Sequence, residues 1–103
     1  MVGKVFKEGG NISIPVIYDS IPPDKRWIVR EKYVDVQRGY CPHCKVLLKH
    51  SPPMPRSIDW SLFPNGKGFL DHPIHLHHCH KTGLTIGAVH AYCNADLWYN
   101  FGE

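Results

Sequence analysis

No stretch of the chain approaches the roughly 18 uninterrupted apolar residues that a membrane-spanning helix needs, and its first ten residues, MVGKVFKEGG, hold no apolar segment of the kind a secretory signal carries. The expectation is a soluble, cytoplasmic protein with no membrane partner. Charge of one sign is scarce as well: twelve Lys and Arg against nine Asp and Glu leave a formal net charge of +3 with histidine neutral. That balance permits contact with a polyanion but does not announce it. Internal repeats and low-complexity segments are also missing, which excludes a solenoid or a biased tail.

What is present belongs to a folded domain, since 43% of the residues are hydrophobic and 12% aromatic. At 103 residues the chain supports one domain whose core is small enough for a metal or cross-link to contribute materially to stability. Four cysteines allow two disulfides in any of three connectivities, but that reading wants a secreted context. In a reducing compartment metal ligation accounts for them better. Eight histidines are many for this length, and five of them fall between His72 and His80.

Residues 12–18 (ISIPVIY) and 27–36 (WIVREKYVDV) are rich in β-branched and aromatic residues with partial alternation, which predicts two strands joined by the SIPPDK turn. Pro15 confines the first to an edge. SPPMPRS reads as a loop and NGKG, at 65–68, as a turn. In FLDHPIHLHHCH, Ile74 and Leu76 alternate with His75 and His77 as in a strand, and a turn at Lys81 to Gly83 leads to a second strand, LTIGAV. Ala91, Ala95 and Trp98 recur at helical spacing, so AYCNADLWYNF reads as a short helix packed on the sheet.

Cys41 and Cys44, spaced C-x-x-C, and His90 and Cys93, spaced H-x-x-C, are two chelating pairs of the kind that closes a tetrahedral structural zinc site. Thiolate and imidazole suit zinc better than magnesium. A redox dithiol is the competing reading, but such pairs open a helix in a βαβ setting, which this sequence does not show. Cys79 is left over and reads as a small buried residue. His43 and His50 flank the knuckle, and His72 and His75 read as exposed strand histidines.

The run His78-Cys79-His80-Lys81-Thr82-Gly83, then Gly87, then Ala88-Val89-His90-Ala91-Tyr92-Cys93-Asn94, together with the upstream C-x-x-C, resembles the recombination endonuclease VII group of HNH nucleases. The resemblance covers residues 41 to about 98. It implies an α+β, zinc-stabilised ββα-metal core, here residues 41–98; it does not reach residues 1–40, which the strand patterns above make an N-terminal β extension of a single domain spanning 1–103. It implies a metal-dependent endonuclease acting on DNA, with His78 as general base, His80 near the scissile phosphate, and a catalytic divalent metal at His77 and Asn94. Two positions depart from the pattern: the family's metal-binding aspartate is His77 here, and its arginine before the second glycine is Ile86. Nucleases of the colicin type also lead with a metal-binding histidine. Loss of the carboxylate shifts the expected metal from Mg2+ toward Mn2+, Ni2+ or Zn2+, and Lys81 or Lys67 is the expected phosphate contact in place of the arginine. The same resemblance associates the chain with bacteriophage or mobile-element products acting in a host cytoplasm, and leaves the oligomeric state open. The alternative is an inactive zinc module of the same fold that binds nucleic acid or a protein, with Arg26, Trp27, Arg30, Lys32, Tyr33 and Arg38 as an interleaved basic and aromatic face.

Overall fold

A computed structural model describes residues 5–7, 12–63 and 65–102, without the Lys67 side chain. Four regular elements appear in the order α1 (Arg26–Val36), β1 (Ile74–His78), β2 (Thr85–His90) and α2 (Ala91–Phe101), with short 3-10 turns before α1 and between α1 and β1. β1 and β2 form an antiparallel hairpin, and both helices pack on it. The result is a small α+β domain.

The hairpin and α2 lie where the sequence places them, whereas the N-terminal strands do not. Residues 27–36 belong to α1, and segment 12–18 forms no strand, making isolated bridges at Val16 and Ile17, the latter to Leu84, alongside β2. The helix has a physical cause that the β-branched composition hides. Val29, Tyr33 and Gln37 are four residues apart and so share one face. Val29 and Tyr33 are buried against the hairpin, while Trp27 and Val36 are exposed. The Pro23–Lys25 3-10 turn runs straight into α1 and sets its entry.

Gln37, at the end of α1, closes the outer edge of β2. Its Oε1 accepts from the Ala88 amide at 2.9 Å, and its Nε2 donates to the Ala88 and Tyr40 carbonyls at 2.9 Å each. A carboxamide thus substitutes for a third strand and covers an edge that would otherwise be open. Gly87 makes this approach possible, because a Cβ there would lie 2.9 Å from Gln37 Oε1. Thr85 ties three segments together: its Oγ1 accepts from the Val16 amide at 2.9 Å and pairs with the Tyr33 hydroxyl at 2.7 Å.

The hairpin turn is made at Gly83, whose φ of 76° is a left-handed conformation that other residues adopt at a cost. Pairing slips between His77 and His78, which face Gly87 and Thr85 respectively, so Ile86 is the extra residue of a bulge. The buried cluster comprises Val16, Ile21, Val29, Tyr33, Leu48, Leu76, Ala88, Val89 and Tyr92, continuous with Cys41 and Cys93.

Candidate metal centre and histidine cleft

The knuckle is a tight loop in which the Cys41 amide donates to the Val46 carbonyl and the Lys45 amide to Cys41, each at 2.9 Å. Across it stand His90, the last residue of β2, and Cys93, in the first turn of α2. The ligand atoms of Cys41, Cys44, His90 and Cys93 all lie within 4.8 Å of one another. His90 Nδ1 is 3.3 Å from Cys44 Sγ and 3.8 Å from Cys93 Sγ, bracketing the roughly 3.6 Å edge that zinc bond lengths and a tetrahedral angle require.

The tautomer agrees. His90 Nε2 faces the Leu47 and His50 carbonyls at 3.0 and 2.8 Å, and since carbonyls only accept, Nε2 carries the proton and Nδ1 presents its lone pair to the sulfurs. His50 therefore contributes its backbone rather than its ring. Cys41 is drawn down to about 4 by a hydrogen bond from Cys93. Cys93 is pushed up by that same bond and by burial, and Cys44 is pushed up by burial. Three crowded sulfurs cannot all ionise unless a cation joins them, so the donor set fits structural zinc.

The second assembly is a cleft of about 380 Å³ beside β1 that brings together His72, His75, His77, His78, His80 and Asn94 with Tyr18, Arg26 and Arg30. Asn94 is the hub. Its Oδ1 lies 3.1 Å from His77 Nδ1 and its Nδ2 lies 3.1 Å from His75 Nδ1. Cys93 and Asn94 are consecutive, and the 100° between successive helical residues sends one to the sulfur cluster and the other to the histidines. His78 is half-buried, its ring stacked on Tyr18 at 3.8 Å between centroids and met edge-on by His80 at 5.0 Å. Burial first, then the charges of His80 and His77, pull His78 below the usual histidine range. His75 is lowered chiefly by burial as well.

Compared with family models, curated proteins and solved structures, the chain matches none. The likeness to a ββα-metal fold therefore rests on the hairpin, the following helix and the Cys3His set.

Several sequence expectations need correction. His75 is not an exposed strand histidine: it is partly buried, bonded to Asn94 and packed edge-on against Phe69 at 4.6 Å. His72 is exposed, as expected, yet lines the cleft. Cys79 is only half-buried, in the hairpin turn, with a thiol lowered by its hydrogen bond to Thr82. Lys81 is exposed in that turn and does not line the cleft, and the Lys67 side chain lies outside the described residues. Ile86 is half-exposed on the bulge and lines a different hollow, with Pro42 and His43.

The interleaved N-terminal face does not form either, because Tyr33 is buried in the core and only Arg26 and Arg30 reach the cleft. Sequence reasoning missed these two arginines as companions of the histidines. It also missed Asp96, buried at 1% exposure, which accepts from His43 Nε2 at 2.9 Å and Arg56 at 3.1 Å. The four-residue spacing of Arg26 and Arg30 was the available signal, once 26–36 is read as helix.

Proposed function

We propose that the chain is a metal-dependent endonuclease that hydrolyses DNA phosphodiester bonds, with His78 as the general base and His77 and Asn94 as ligands of a catalytic divalent metal. The observation that carries this reading is the Asn94 bridge, which holds His77 and His75 at the cleft where His78 presents its ring. Because Asn94 Oδ1 only accepts, His77 donates from Nδ1, which leaves the ring's lone pair on Nε2, a metal-competent atom. Oδ1 has a second lone pair. A divalent ion at this pair would polarise the phosphate and stabilise the charge that develops on it.

His78 stays neutral at pH 7 because burial and neighbouring imidazoles oppose its protonation. A neutral ring accepts a proton from water, and the Tyr18 stack holds its plane. His80, exposed and edge-on to His78, is the histidine we assign to the scissile phosphate. Among the described residues no carboxylate lines the cleft, so manganese, nickel or zinc should serve better than magnesium.

That same lack of a carboxylate favours a second reading, a non-catalytic zinc module that binds nucleic acid or a protein. Among the described residues, the Cys3His set is the one group of three or more His, Cys, Asp or Glu converging on a point. Supercoiled plasmid incubated with purified protein and Mg2+, Mn2+, Ni2+ or Zn2+ in turn separates the two readings. The nuclease reading expects metal-dependent nicking that falls at least about 100-fold in His78→Ala, with one zinc per chain in both proteins by elemental analysis. No nicking with any metal would leave the binding module.

A further inference from the structure

We propose that Arg26 and Arg30 of α1 are the phosphate-binding groups of the histidine cleft, so that the N-terminal segment completes the site. The proposal rests on the reading that the cleft takes a DNA phosphodiester. Three observations carry it.

Among the described residues, Arg26 and Arg30, one helical turn apart, are the cleft's permanently charged side chains, and no carboxylate of those residues lines it. Among the described residues neither arginine makes an ion pair; the nearby acid that acts on His78 is Asp19, which is exposed. Two uncompensated guanidinium groups around a concave surface focus a positive potential where an anion would sit.

Arg26 is also held in place. Its guanidinium lies over the Tyr18 ring at 4.4 Å, and Tyr18 stacks on His78 at 3.8 Å. One ring face cannot hold both groups, so the order is Arg26, Tyr18, His78, with the guanidinium one ring beyond the general base. Contact with the ring restrains the guanidinium beside the cleft, and its N–H groups are the donors with which an arginine grips phosphate oxygens.

Finally, Arg26 Nε is buried without a hydrogen-bond partner. Buried donors are rarely left unpaired, because doing so costs on the order of 1 to 3 kcal/mol. A phosphate oxygen entering the cleft is the acceptor that would satisfy it.

Anisotropy of a short labelled DNA duplex, measured with the zinc-loaded protein and no added catalytic metal, tests the assignment. Arg26→Gln/Arg30→Gln should weaken binding at least about tenfold and lower the slope of log Kd against log salt by about 2. Lys49→Gln, an exposed lysine outside the cleft, should stay within about twofold. If the double variant loses zinc or unfolds, Arg30→Gln alone carries the test, with a loss of at least about threefold and a slope change of about 1.

A wild-type chain that binds the duplex while the arginine variants keep its affinity and salt slope would overturn the assignment and leave the nuclease reading untouched. A wild-type chain that binds no duplex would also overturn it. Arginine-dependent binding without nicking by any metal would support the assignment and count against the nuclease.

Discussion

Asn94 engages an imidazole with each end of its carboxamide, at 3.1 Å to His77 and 3.1 Å to His75. Oδ1 can only accept from His77 and Nδ2 can only donate to His75, so the one carboxamide fixes opposite protonation at the two Nδ1 atoms. Asn94→Ala should therefore lower nicking about 10- to 100-fold, the usual cost of losing a group that orients a site, with zinc content unchanged because Cys93 is untouched. Plasmid nicking and elemental analysis on the same preparation would show this. Tyr33 is a contrasting residue: its hydroxyl bonds the carbonyl and Oγ1 of Thr85 and does not line the cleft. Tyr33→Phe should cost about 1 to 1.5 kcal/mol in urea unfolding and leave nicking within about twofold. Asn94 was legible in the sequence through its place after the H-x-x-C pair. His75 was not, since alternation along β1 assigns it a face but cannot say that Asn94 lies on that face.

At the level of elements, the junction of α1 with β2 depends on a glycine. The carboxamide of Gln37 passes so close to Gly87 that an added Cβ would lie 2.9 Å from Oε1, a separation that forces a shift. Gly87→Ala should destabilise the fold by about 1 to 3 kcal/mol through overpacking. The penalty should shrink in a Gln37→Ala background, because the clash partner is then gone; a double-mutant cycle in urea measures that difference. Additive penalties would show that the close approach is not what excludes a side chain. β1, β2 and α2 could be read in advance because each is a local pattern beside a clear turn: alternating histidines and aliphatics, Gly83, and helical spacing from Ala91. α1 could not, because Trp, Ile, Val and Tyr favour strands by composition. The burial of Val29 and Tyr33 against the hairpin overrides that preference.

For the whole molecule, the Cys3His cluster and the core are one structure. Cys41 and Cys93 are packed among Val89, Tyr92 and Leu48, and the four ligands come from the knuckle, β2 and α2, so that they join these segments at one point. Removing zinc with a strong chelator should abolish cooperative melting and near-ultraviolet circular dichroism, because for a core this small metal binding is folding free energy. An unchanged melting curve after complete zinc removal would refute the structural role. No helix of the described residues is long and apolar enough to cross a membrane. A further constraint comes from Asp96, which holds His43 of the knuckle and Arg56 of the proline-rich loop, while Tyr92 donates to the Arg56 carbonyl at 2.7 Å. One face of α2 thereby ties down both segments.

The sequence by itself determined the Cys41, Cys44, His90 and Cys93 set, the hairpin and α2. In each case the information is short in range: two residues between ligands, a glycine at a turn, or a period of two or of 3.6. Only the tertiary structure decided that residues 26–36 are helical, that Asn94 joins His75 to His77, and that Arg26 and Arg30 face the histidines. These depend on which surfaces meet across separations that run from the 17 residues between His77 and Asn94 to the 52 between Tyr33 and Thr85. Burial and hydrogen bonding between distant segments set them, and no local spacing encodes such a meeting.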